Sequence, residues 1–170
     1  MRINPRPDVN HYLPNATVLY YDIAGSTAEE LRAQLNTLCP VDANGNRHDA
    51  VCQWFIKWNW PGYGHRPCQL DKAIVSYKIE VVFPRWIPPK NVSLGLVTKW
   101  EDYIHALAEH ENGHADYIVN NYQMVANAIK SADCYTADSA AHAAIKRLKQ
   151  HDIEYDAITD HGATQGARFP

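Results

Sequence analysis

The 170-residue chain carries 16 Lys and Arg against 19 Asp and Glu, a net charge of −3, and 46% of its residues are hydrophobic. That length suits one domain with a substantial core and is short for two, so residues 1–170 read as a single domain. The charge excludes electrostatic attraction to nucleic acid or anionic lipid, and no apolar run approaches the ~18 residues that a membrane span requires.

The opening "MRINPRPDVNHYLP" is neither basic-then-apolar nor helical. From Ala16 to Ile23, "ATVLYYDI" is rich in β-branched and aromatic residues and predicts a strand. "STAEELRAQLN" follows, with Ser26 and Glu29 matching a capping box and Leu31 and Leu35 forming an apolar stripe, until Cys39 and Pro40 stop the helix. "AVCQWFIKWNW" sets Trp54, Ile56, Trp58 and Trp60 on one face by alternation, as core rather than as a substrate platform. "KAIVSYKIEVVF" alternates Val75, Tyr77, Ile79 and Val81 with Ser76, Lys78 and Glu80. The loop "PGYGHRPC" between these two is too short for a parallel crossover, so they are expected to pair antiparallel in a small, strongly twisted, mostly antiparallel sheet. The proline-rich "FPRWIPPKN" ends the strand region.

Beyond it the pattern turns helical. No proline interrupts the chain from about Val97 to Ser131, and Ile104, Leu107, Ile118, Tyr122, Val125 and Ile129 recur near the helical period. After "SADCYTAD", a second helix is predicted through Ala144, Leu148 and Tyr155 until Gly162. Two long helices with a short connection should pack antiparallel. The predicted class is α+β: a small sheet and an N-terminal helix, then two long C-terminal helices.

Four cysteines, Cys39, Cys52, Cys68 and Cys134, contain no C-x-x-C pair and read as disulfide partners in any of three pairings. With ten tyrosines and two methionines, they suit an exported bacterial protein whose leader lies outside this sequence.

Within the first long helix, "EHENGHADY" holds the pattern H-E-x-x-H. Residues four apart on a helix lie about 40° apart in azimuth and roughly 6 Å apart in height, so His110 and His114 can share one ion. Glu111, rotated by about 100° from His110, reaches the flank where a bound water would sit. Zinc brings such a water's pKa to near 7, and an adjacent carboxylate can take its proton, the zincin form of peptide hydrolysis. For a random chain of this composition the pattern is expected roughly 0.02 times, so the nine histidines alone do not account for it.

A catalytic zinc usually takes three protein ligands. The metzincin extension is absent, since Tyr117 and Asn120 stand where glycine and histidine would be. Counting along antiparallel helices places His110 and His114 opposite residues 154 to 158. His161, beside a glycine that lets the chain turn back, is taken as the third ligand, with Glu154 and Asp156 as the alternatives. Asp156 is otherwise a partner for a ligand imidazole. Tyr155 or Tyr117 is a candidate donor to a developing oxyanion, against the commoner role of packing. His11, His48, His65 and His105 fit no metal spacing and read as surface or locally bonded.

"YYDIAGSTAEELRAQLN", "HENGH" and "YDAITDHGATQGARFP" together resemble a bacterial family of predicted secreted Zn-dependent proteases, grouped as a domain of unknown function. The resemblance covers nearly the whole chain, and the series Tyr155, Asp156, Thr159, His161 and Gly162 is its more specific part. It implies a zincin-like zinc metallopeptidase acting on peptide or protein substrates outside the cytoplasm, secreted or periplasmic, with His110 and His114 as ligands and Glu111 as base. A zinc module without turnover and a zinc amidase of cell-wall amides are the competing expectations.

Overall fold

A computed structural model describes residues 9–42 and 45–170. The opening residues 1–8, for which neither a leader nor a helix is expected, lie outside the described residues.

Among the described residues, alternation produces three strands: β1 (Thr17–Ile23), β2 (Val51–Asn59) and β3 (Ile74–Trp86). β2 and β3 pair antiparallel from Val51↔Val82 to Asn59↔Ile74, as their short loop requires. β1 pairs with β3 parallel, from Thr17↔Glu80 to Ile23↔Trp86, giving the order β1-β3-β2. The sheet is therefore mixed rather than mostly antiparallel. The chain between β1 and β3 contains a helix and a whole strand, enough length to bring β3 back in β1's direction, and side-chain alternation carries no information about direction. β3 also runs three residues past Phe83. β2's pairing stops at Val82, so Pro84 has a strand neighbour only on β1's side, a position where a missing N–H is tolerated.

Helix α1 (Ala28–Leu38) starts one residue later than the Ser26–Glu29 box implies. "STAEE" contains the capping pattern twice, and the second copy forms: Glu30 donates its N–H to Thr27 Oγ1 (3.2 Å), while its carboxylate accepts from the Ser26 N–H (2.6 Å). Leu31 and Leu35, fully buried, pack in one cluster with Ile23, Val81 and Phe83.

The long helical region is two helices, α2 (Leu94–Asn121) and α3 (Gln123–Lys130), interrupted at Tyr122, whose ring packs on Tyr77 at 4.7 Å. Ser93 caps α2 by accepting from the Leu96 N–H. α4 (Ala137–Thr159) then returns antiparallel, so that Asp152 meets His114 and Thr159 meets His110. α2 is buried almost all round between Tyr103 and Ile118, the mark of a central helix.

Among the described residues, apolar side chains form two clusters. One gathers α1, the ends of β1 and β3, the first turns of α2 and Phe169. The other gathers α3, α4, Ile79 and the last turns of α2, with Trp54, Ile56 and Trp58 packed against it. Ala108 belongs to the first and Ala115 to the second, so "HENGH" lies at the seam.

One disulfide joins Cys68, in the β2–β3 loop, to Cys134 before α4, while Cys39 and Cys52 are free thiols. Only one pair of the four is bridged; Cys39 lies just past the end of α1 and Cys52 inside β2. Cys68→Ser with Cys134→Ser releases a constraint spanning 66 residues. It is expected to lower unfolding free energy by about 2–4 kcal/mol. A urea midpoint equal to that of the oxidised wild type would refute the bridge.

Candidate metal centre

Four polar side chains are buried among the described residues, and all four belong to one place: His110 (4% exposed), Glu111 (4%), His114 (7%) and Thr159 (7%). Burying such groups is unfavourable unless each finds a partner, so their partners define the site.

His110 and His114 stand one turn apart on α2, their ring centroids 5.0 Å apart. Their Nε2 atoms converge on a single oxygen, Asp156 Oδ1 on α4, at 3.2 and 3.1 Å. Each Nδ1 is tied elsewhere. His114 Nδ1 lies 3.1 Å from Asp152 Oδ1, and His110 Nδ1 lies 2.9 Å from Gln165 Oε1. Asp152 can only accept, so the His114 ring donates there through Nδ1–H and turns its Nε2 towards the Asp156 carboxylate. Asp152's second oxygen accepts the Trp54 indole N–H at 2.7 Å, which fixes the carboxylate from the sheet side.

Glycines allow the close approach. A Cβ on Gly113 would stand 2.2 Å from the Tyr155 hydroxyl and 2.5 Å from its Cζ. A Cβ on Gly162 would stand 2.9 Å from His110 Cγ. Tyr155 thereby stacks flat against His110 (5.1 Å, 9°) and edge-on to His114 (4.9 Å, 89°).

Electrostatics report a demand for positive charge. Burial disfavours a charged His114, yet hydrogen bonds to Asp152 and Asp156 outweigh it and bring the ring up to about 10. Burial likewise opposes ionisation of Asp156, and the His110 and His114 rings override it, holding the carboxyl well below its usual range. Glu111 is pushed up by burial, with His114 and His110 pulling the other way and a backbone hydrogen bond from Cys52 helping them. Asp152 and Asp156 thus meet two imidazoles whose Nε2 atoms face one oxygen, with the buried Glu111 carboxylate close enough to feel both rings.

The donor set fits a metal. Among the described residues, His110, His114 and Asp156 are the group whose ligand atoms all lie within 4.8 Å of one another. Two imidazoles and a carboxylate are a usual zinc set, and tetrahedral zinc holds its ligand atoms roughly 3.3–3.6 Å apart, close to the 3.2 and 3.1 Å between Asp156 Oδ1 and the two Nε2 atoms.

The remaining sequence candidates fall around this group. His161 is exposed on the cleft wall, its Nδ1 3.6 Å from Asp156 Oδ1 and its ring 5.2 Å from that of His48. Asp156 occupies the point of convergence that residue type suggests for His161. Glu154 is turned outward and bonds Gln150. Tyr155 lies behind the imidazoles with its hydroxyl engaged by Gln165, and Tyr117 stacks on His151. Asp152 and Gln165 are absent from the sequence reading. Asp152 carried a signal, being one helical turn before Asp156, whereas nothing local marks Gln165. His48, read as surface or locally bonded, bonds Asp42 and also lines the cleft.

The cleft, about 930 Å³, opens over His110, Glu111, His114 and Asp156 and is walled by Arg32, Arg47 and His48 on one side and Ile153 and Ala157 on the other. No helix is long and apolar enough among the described residues to cross a membrane.

Fold and site together define an α+β domain with a His–His–Asp cluster, its imidazoles buried and its carboxylate half-buried, at the floor of a cleft. The chain belongs to the family described as "Bacterial protein of unknown function (DUF922)", whose model matches residues 18–162, from β1 through the turn after α4. No curated protein and no solved structure matches it.

Gly113→Ala must drive the Tyr155 ring off its stack on His110. The expected cost is about 1–3 kcal/mol, read by chemical denaturation of the metal-free chain. Wild-type stability in that variant would show that the ring does not sit over Gly113.

Proposed function

We propose that the protein is a zinc-dependent hydrolase of the zincin type, a peptidase acting outside the cytoplasm. The observation that carries this reading is the convergence of two anchored imidazoles and Asp156 beside a buried carboxylate, Glu111, at the floor of an open cleft. A purely structural zinc site is closed by four protein ligands, whereas three donors facing a cleft leave a position free.

What zinc supplies in such a setting is Lewis acidity and an acidified water. The side chains supply the rest. Asp152 and Gln165 hold the two rings with Nε2 turned towards Asp156. Glu111 is the base: burial raises it above a solvated carboxylate, which strengthens it as a proton acceptor, and the Cys52 backbone keeps it in place. β2 is an outer strand, and its Val51 and Cys52 line the cleft, so an extended peptide has a sheet edge beside it. The Cys68–Cys134 disulfide supports an oxidising compartment.

Glu111→Gln should lose roughly 10²–10⁴-fold in peptide-library hydrolysis while keeping one zinc per chain by elemental analysis. Undiminished cleavage in that variant would end the proposal. Ligand identity is read separately: Asp156→Ala should weaken zinc binding in chelator competition far more than His161→Ala, and the reverse order would put His161 in the coordination sphere. His114→Ala should lose both metal and activity.

A further inference from the structure

Whether a neutral histidine can bind a cation through Nε2 depends on its proton being on Nδ1. For His114 the acceptor Asp152 settles this. For His110 the neighbour is an amide, which offers either an oxygen or an NH₂ group, so the tautomer depends on which way the amide faces.

Three contacts bear on that direction. Gln165 Nε2 donates to the Tyr155 hydroxyl at 3.0 Å, which leaves Oε1 for His110 Nδ1 at 2.9 Å. Thr159 Oγ1, 3.5 Å from the same Nδ1, has already spent its hydrogen on the Tyr155 carbonyl at 2.8 Å and can only accept. Both neighbours of Nδ1 therefore want a donor. The segment that brings Gln165 here is pinned at both ends. Gly162, at φ 81°, lies against the His110 ring, and Phe169 is buried against Trp100 and Tyr103 with centroids 5.3 and 5.2 Å away.

We propose that Gln165 is a positioning residue of the metal centre: its amide, anchored on the Tyr155 hydroxyl and facing the same Nδ1 as the accept-only Thr159 Oγ1, holds His110 as the Nδ1–H tautomer with Nε2 presented to the ion. The C-terminal turn is then the latch on a site whose ligands all belong to α2 and α4. This rests on the metal-binding reading above and extends it to a residue outside the span that the family model matches.

Gln165 is itself exposed, so replacing it empties no core. The test is zinc affinity by chelator competition on the full chain, with the cobalt-substituted absorption spectrum as a second readout and metal-free thermal stability as the folding control. Gln165→Met, similar in length and without the acceptor, should bind zinc on the order of 10–100-fold more weakly, with an altered cobalt spectrum and unchanged metal-free stability. Gln165→Glu restores an acceptor and should bind at least as tightly as wild type. Tyr155→Phe keeps the stacked ring but frees the amide and should fall between wild type and Gln165→Met. Wild-type zinc affinity in Gln165→Met, or equal loss in Gln165→Glu, would overturn the assignment, and wild-type affinity in Tyr155→Phe would overturn the anchoring role of the hydroxyl. A wild-type chain that binds neither zinc nor cobalt overturns the metal reading itself, whereas a metal-binding wild type with indifferent Gln165 variants overturns this inference alone.

Discussion

The structure depends on the pairing of charge at the seam between two apolar clusters. An ionised group in such a place costs several kcal/mol unless it is matched, and each match here comes from a different part of the chain. α4 supplies Asp152 and Asp156 to His114, the C-terminal turn supplies Gln165 to His110, and β2 supplies a backbone donor to Glu111. The polar cluster is therefore also what holds helices and sheet in register. An apolar seam would bind them with comparable strength but would tolerate sliding, since dispersion contacts are not directional.

The register is over-determined along α4. His110 and His114 are one turn apart on α2, and Asp152 and Asp156 are one turn apart on α4, so an antiparallel crossing aligns both pairs only where Asp156 reaches both rings. Two tryptophans of β2 repeat the constraint from the sheet side, Trp58 donating to Asp138 and Trp54 to Asp152. The disulfide fixes the start of α4 near the β2–β3 loop. Gly113 then lets the two helices approach closely enough for the Tyr155 ring to lie over the α2 backbone and stack on His110.

What could be read from the residues beforehand follows the range of the interaction involved. Strand alternation, helix periodicity and the H-E-x-x-H spacing are local, and the α+β order of elements and the facing of His110 and His114 follow from them. Counting along two antiparallel helices reaches residues 154 to 158, which contain Asp156, because helix rise is constant. Strand direction is another matter: β1 alternates in the same way whether it pairs parallel or antiparallel. The interruption at Tyr122 is equally silent, for "VNNYQMVA" has no breaker, and it is the Tyr77 ring on the sheet that meets the chain there. His161 and Asp156 could not be ranked from composition, because their places depend on how sharply the chain turns after α4.

That turn carries a cost that bears on function. Asp160 and His161 both have φ near 50°, and Gly162 follows at 81°, so three successive residues are left-handed and two of them have side chains. Such conformations cost on the order of 1–2 kcal/mol per residue with a Cβ, and they persist where surrounding contacts compel them. Here the His161 N–H bonds the Asp156 carbonyl at 2.9 Å, and Arg168 pairs with Asp160 at 2.8 Å, an exposed ion pair that offsets little. The larger compensation is Phe169, whose burial against Trp100 and Tyr103 stabilises by about 1.5–3 kcal/mol. A straight exit from α4 would satisfy the backbone and leave that ring in water, and it would also remove Gln165 from His110. Aromatic burial at one end of the tail thus sustains backbone strain at the other, and the imidazole lies between them.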